Sequence, residues 1–196
     1  IYMDNQTQEG TKNMQKRHTD RESYFDEQSQ TSKNYYIPYI KEVIGHIPDK
    51  VLEVGCGEGG NLLPFAEAGC RVMGVDIDAM RIEQARAFFA QRHQQGQFIA
   101  TDIFQLEDKA TNFPLILLHD VIEHIRDKER FLSGLQKHLS ADGAIFVGFP
   151  AWQMPFGGHQ QIAHSHIVSH FPFLHLLPRT LYRWILRLCG EQERVI

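Results

Sequence analysis

The stretch VLEVGCGEGGNLLPFAEAG, from Val51 to Gly69, decides how the rest of the chain is read. A short apolar run meets Gly55, Gly57, Gly59 and Gly60, and a helix-like run follows. A turn this rich in glycine lets backbone come close to a ligand. Gly55, Gly57 and Gly60 fit the dinucleotide spacing G-x-G-x-x-G. Gly55, Gly57 and Gly59 fit a different nucleotide loop equally well. The turn leaves the ligand open, and its surroundings must choose.

Outward from the turn, strand-like and helix-like segments alternate. KVLEVG reads as a strand, GNLLPFAEAG as a helix closed by Gly69, and RVMGVD as a second strand. DAMRIEQARAFFAQRH has helical periodicity with Asp78 placed as N-cap. QFIATD is a third strand, and FPLILLHD a fourth, apolar along its length as a strand buried on both faces must be. RDKERFLSGLQKHL is a further helix, and GAIFVGFP a fifth strand after the turn Ala141-Asp142-Gly143. Pro38 and Pro48 punctuate an N-terminal helical region, NYYIPYIKEVIGHI. The alternation predicts an α/β fold: a Rossmann-like, doubly wound, mainly parallel sheet with an N-terminal helical cover. Ligands of such sheets sit beyond the carboxyl ends of the strands.

Composition sets the outer bounds. The chain has 196 residues, most simply one domain, and its net charge of −4 leaves no electrostatic footprint for nucleic acid. Cys56, Cys70 and Cys189 are odd in number and far apart, with no C-x-x-C, so neither a disulfide framework nor a zinc cluster is implied. A reducing cytoplasm is the expected setting. Residues 1–22 are polar and read as a flexible lead, and residues 23–196 as a single domain. Its core is 50–150, with a lid and helix over 151–190. The apolar run FPFLHLLPRTLYRWILRLC carries prolines and three arginines and does not read as a membrane span.

The strand ends carry the chemistry. Glu53, Asp76, Asp102 and Asp120 close or follow the first four strands. An anionic rim repels a pyrophosphate and suits hydroxyls, an exocyclic amine and a positive charge. Asp76 lies roughly 20 residues past the loop, the spacing for a carboxylate that takes ribose hydroxyls. Asp102 is placed to accept from an adenine amino group. The helix starting near Gly59 offers free N–H groups to a carboxylate. Ribose, adenine, carboxylate and a cation together describe S-adenosylmethionine. A nicotinamide-dependent oxidoreductase is the alternative for the same loop, with Glu53 and Asp102 against it. A cofactor-binding domain without catalysis is a third reading.

The runs VLEVGCGEGG, GVDID, ATDIF and LLHDVIEHI, in that order, resemble the class I S-adenosylmethionine-dependent methyltransferases. The resemblance covers roughly Val51 to Pro150, and DVIEHI is most similar to the small-molecule branch that includes ubiquinone-biosynthesis O-methyltransferases. It implies Glu53, Gly55, Gly57 and Gly59 around the methionine part of the cofactor, and Cys56 and Asn61 are counted with them as cofactor-binding residues. It implies Asp76 on the ribose, Ile77 against the adenine face, and Asp102 and Ile103 at the adenine edge. The segment from His119 to His124 would border the sulfonium and the acceptor. The function it implies is methyl transfer to a small-molecule acceptor. The family's sheet normally ends in an antiparallel pair after the fifth strand. Here only loop, histidines and a helix-like run follow, so those strands are expected to be missing or to lie beyond the chain end.

An oxygen acceptor must lose a proton, and His119, His124 and His159 are the candidate bases. Asp120, Glu123 and His124 share ligand chemistry for a divalent ion, but loop support is the favoured reading and no metal is expected. His159, His164, His166, His170 and His175 match no zinc spacing. Trp152, Met154 and Phe156, just past the fifth strand, are candidate walls of an acceptor pocket. Tyr24, Phe25, Tyr35 and Tyr36 are placed to close over the cofactor. RTLYRWILRLCG sets Arg179, Arg183 and Arg187 on one stripe and Leu181, Trp184, Ile185 and Leu188 on another. Such a helix suits an anionic membrane surface or a lipid-like substrate, but packing on its own domain or on a twin subunit is the favoured reading, so a homodimer is the partner considered besides the acceptor.

Overall fold

The computed structural model of the chain describes residues 20–106, 111–155 and 163–191. The chain splits between Phe149 and Pro150 into two compact units. The first carries helices α1 (Arg21–Thr31) and α2 (Ile37–Ile44), strand β1 (Lys50–Val54), helix α3 (Leu63–Glu67) and strand β2 (Arg71–Asp76). Helix α4 (Ala79–Gln91), strands β3 (Gln97–Ala100) and β4 (Phe113–His119), helix α5 (Lys128–Leu135) and strand β5 (Leu139–Gly148) complete it.

The sheet runs β3-β2-β1-β4-β5, and each neighbouring pair is parallel. Strand order reverses between β1 and β4, so a crevice opens at the carboxyl ends of those strands. Period-2 alternation sorts the strand side chains into two layers. Val51, Val72, Leu115 and Leu117 face a cluster built on Phe25, Leu62, Phe65, Ile82 and Phe89. Leu52, Val54, Met73, Val75, Ile116 and Leu118 face the other, with Phe113, Phe131 and Leu135. Both faces are therefore covered, which is why these strands read as nearly unbroken apolar runs.

Local chemistry explains most element ends. Asp78 caps α4, accepting from Met80 N at 2.9 Å and Arg81 N at 3.3 Å, as its position predicts. Gly69 turns left-handed (φ 88°) just after α3. Two departures from the sequence reading are clear. Helix α1 begins inside the segment read as flexible lead, because Asp20 caps it through Ser23 N (3.0 Å) and Phe25 is buried against Phe88 and Phe89. Also, β5 begins before the expected turn. Leu139 pairs with Phe113 and Ala144 with Leu115, so Ser140 to Gly143 form an irregular excursion inside the strand rather than a turn ahead of it.

The second unit holds α6 (His166–His170), capped by Ser165, and α7 (Arg179–Leu188). Its core is Ala163, Val168, Leu174 and Leu186. Helix α7 buries Leu186 and leaves Leu181, Trp184 and Leu188 exposed. Among the described residues no helix is long and apolar enough to cross a membrane.

Candidate cofactor site

The site grows from the turn after β1. Gly55, Gly57 and Gly59 all sit at left-handed φ (73°, 52° and 82°), where a side chain is strained. Space is also short: a Cβ on Gly55 would press into Val121, and one on Gly57 into the Arg81 guanidinium. The N–H groups of Gly55 and Cys56 both donate to Val75 O (2.7 and 3.1 Å), which anchors the turn on the end of β2. Cys56 is buried, and burial pushes its thiol well above the usual range, so it packs as a neutral filler.

Glu53 closes β1 and is fully buried. Asn61 Nδ2 donates to its Oε1 at 2.8 Å, while Glu53 Oε2 and Asn61 Oδ1 meet no partner. Burial pushes the carboxyl up to about 8, the Asn61 hydrogen bond opposes that rise, and the Asp76 carboxylate adds to it. Ser32, also buried, donates from Oγ to Asn61 O at 2.8 Å, so the N-terminal helices are tied to the same polar chain. Two buried oxygens beside the glycine turn lack partners, one of them on a carboxyl that burial holds protonated, and a cation with donors satisfies both once that proton leaves. An ammonium group supplies them, and the residues fit the methionine end of S-adenosylmethionine.

Asp76, at the end of β2, accepts from Gly57 N (2.8 Å) through Oδ2 and from Asp78 N (2.9 Å) through Oδ1. Each oxygen keeps a second lone pair, so ribose hydroxyls remain within its capacity. Asp102 caps the short turn Ile103–Gln105, accepting from Phe104 N at 3.0 Å. Ile77 is exposed beside the crevice and Ile103 is buried.

The β4 end is strained. Asp120 takes a left-handed φ of 52° and donates from its backbone N to Gly148 O at 3.0 Å. Non-glycine residues held in this region cluster at functional sites. His119 is half-buried, with Nε2 3.9 Å from Asp120 Oδ2, and His124 Nε2 stands 3.9 Å from Glu123 Oε1. Among the described residues no three histidine, cysteine or acidic side chains converge as a metal cage, so Asp120, Glu123 and His124 are not brought together as ligands.

Three groups near the turn escaped the sequence reading. Glu58, inside the glycine turn, is fully buried and accepts from Arg21 Nη1 (2.9 Å) and from Arg81 Nε and Nη2 (3.1 and 2.9 Å). It clamps α1 and α4 to the loop. A carboxylate within a turn this crowded was the available signal, but its partners lie 37 and 23 residues away.

The acceptor candidates lie in the second unit. Trp152 is exposed, its ring edge-on to His175 at 5.3 Å, and its carbonyl bonds His175 Nε2. Met154 is partly buried. His166 and His170 stack at 4.0 Å. Phe156 and His159 fall outside the described residues.

Residues 52–145 match a family model described as a methyltransferase domain. The chain is 32% identical over 118 residues to a ubiquinone biosynthesis O-methyltransferase of Bartonella quintana, covering 58% of this chain and 48% of that protein. A Brucella ovis protein of the same name is 33% identical over 98 residues, covering 50% of this chain and 40% of that one. The chain thus spans about half the length of the curated relatives it matches. Among solved structures, coclaurine N-methyltransferase bound to N-methylheliamine and SAH superposes with a TM-score of 0.51 at 25% identity, over 57% of this chain and 34% of that one. An S-adenosylmethionine-dependent methyltransferase from Clostridium acetobutylicum shares the fold, with a TM-score of 0.58 at 16% identity over 69% of this chain and 58% of that one. The glycine cradle, the acids at the strand ends and these matches agree. Over residues 52–145 the chain is similar to the S-adenosylmethionine-dependent methyltransferases.

Proposed function

We propose that the protein moves a methyl group from S-adenosylmethionine to a small-molecule acceptor. The observation that carries this reading is the pair of buried, unpartnered oxygens on Glu53 and Asn61 beside a glycine turn. Bound there, the cofactor supplies an electrophilic methyl on a good leaving group. The chain's task is then to bind and align it. Glu53 and Asn61, with Gly55, Cys56, Gly57 and Gly59, hold the methionine end. Asp76 holds the ribose, Ile77 packs on the adenine face, Asp102 and Ile103 meet its edge, and His119 borders the reacting methyl.

Acceptor choice is assigned to Trp152, Met154 and Phe156, with His119, His124 or His159 as the group that takes the acceptor's proton. The curated relatives are named as O-methyltransferases, which favours an oxygen acceptor. Three scattered cysteines support a cytoplasmic setting, a net charge of −4 speaks against a nucleic-acid partner, and the exposed stripe of Leu181, Trp184 and Leu188 on α7 supports a homodimer. An acceptor screen with labelled methyl donor tests the activity. Label passing to a hydroxyl-bearing small molecule is the expected result. Tight donor binding with no transfer across phenols, amines and thiols would leave a binding domain instead.

A further inference from the structure

The turn Ser32–Tyr36 between α1 and α2 is a π-helix, closed by Ile37 N donating to Ser32 O. Its cause lies two residues on. Pro38 has no N–H, and its ring crowds the carbonyl one turn back, so the coil widens before it. The widened turn carries Tyr36 to the β4–β5 strand ends. Its ring packs on Phe146 (4.8 Å between centroids) and faces His119 (5.7 Å).

His119 and Gly148 are register partners there. A Cβ on Gly148 would stand 3.2 Å from His119 Cδ2 and 3.7 Å from the Tyr36 hydroxyl, so glycine at 148 keeps a small hollow under that hydroxyl. Burial, then the charges of Asp120 and Glu53, then Tyr24, push the Tyr36 phenol up to about 12, and no hydrogen bond contributes. The group is a neutral phenol at any working pH and cannot serve as a base. An oxygen lone pair and a π face, flanked by two acids, attract a small cation.

We propose that Tyr36 is the positioning residue that reads the sulfonium charge of the methyl donor at the β4–β5 strand ends. The assignment rests on S-adenosylmethionine lying across those ends. It predicts discrimination between the cationic donor and its neutral product, S-adenosylhomocysteine. The two ligands differ only in the sulfur-bound methyl and the charge that comes with it, so a purely structural role for Tyr36 would affect them equally.

Calorimetry of both ligands on the wild type, Tyr36→Phe and Tyr36→Leu tests it. Tyr36→Leu should weaken S-adenosylmethionine by about 3- to 30-fold more than S-adenosylhomocysteine, the range for a lost cation–π contact. Tyr36→Phe keeps the ring, its packing on Phe146 and hence the fold, and should lose about 2- to 5-fold of the preference through the hydroxyl alone. Equal losses for the two ligands, or none, would overturn the proposal. If Tyr36→Leu does not fold, Tyr36→Phe decides by the same ratio. Product binding retained in the variants while the ratio stays fixed would reject the role of Tyr36 and leave the cofactor site standing. Wild type binding neither ligand would reject the proposal together with the site.

Discussion

Glu53→Gln probes the centre of the site with almost no change of shape. The wild-type carboxyl titrates at about 8 in the fold, raised chiefly by burial, against an ordinary 4.5. Between those values the folded protein holds a proton that the unfolded chain has released, so stability falls as pH rises. The contribution is fully present below about 4.5 and lost as pH passes about 8. At roughly 1.4 kcal/mol per pH unit it amounts to about 4–5 kcal/mol. Glutamine is neutral throughout and keeps the Asn61 contact. The difference in stability between variant and wild type should therefore be near zero at pH 5 and grow to several kcal/mol in the variant's favour at pH 9. Urea unfolding across that range measures it. The same proton reports on ligand. An ammonium beside Glu53 favours the carboxylate, so donor binding at pH 7 should release about one proton in wild type and none in Glu53→Gln. Calorimetry in buffers of different ionisation enthalpy counts it. Parallel stability profiles and equal proton counts would refute the picture of a buried, protonated Glu53 awaiting a cation.

Asp76→Ala should cost about 2–4 kcal/mol of cofactor affinity, as lost charge-assisted hydrogen bonds do, with the fold intact. Wild-type affinity in that variant would retract the ribose assignment. Glu58→Ala leaves Arg21 and Arg81 facing each other across a buried gap. It should destabilise by about 2–4 kcal/mol, below the cost of a wholly buried pair because both guanidiniums reach solvent. A loss under about 0.5 kcal/mol in urea titration would show the clamp to be idle. Trp152→Ala should raise acceptor KM or lower kcat while donor affinity stays within about threefold, which steady-state kinetics beside calorimetry separates. His159→Ala, if His159 is the base, should lower kcat by about 10²–10⁴ and remove the acidic limb of the pH–rate profile.

The central strands of this sheet, β1, β2 and β4, were legible because they are buried on both faces and run into an acid or a glycine. Val51 to Val54 and Leu115 to Leu118 are apolar but for Glu53, and parallel pairing follows from the helices between them. The cap at Asp78 was legible for the same local reason. The start of helix α1 was not, because RESYFDEQSQT offers Phe25 as its only fully buried side chain and the rest is polar. Its stability comes from tertiary partners, Phe88, Phe89 and Glu58, that no local window contains. The excursion at Ser140–Gly143 was read as a turn because Ala-Asp-Gly is turn chemistry. Pairing of Leu139 with Phe113 keeps it inside the strand instead. In the site, the acids were visible by spacing, yet their state was not. Asp76 spends one lone pair of each oxygen on backbone, and Glu53 is held near neutral by burial. Tyr36 was visible only as part of a cover, since its place at the strand ends depends on the widened turn before Pro38.

The most direct test of the central claim is titration calorimetry with S-adenosylhomocysteine and NAD side by side. The Glu53–Asn61 pair and the carboxylate of Asp76 predict micromolar binding of S-adenosylhomocysteine, about −8 kcal/mol, and far weaker binding of NAD, whose pyrophosphate would meet the Asp76 carboxylate. Tight NAD binding with no response to S-adenosylhomocysteine would contradict the account.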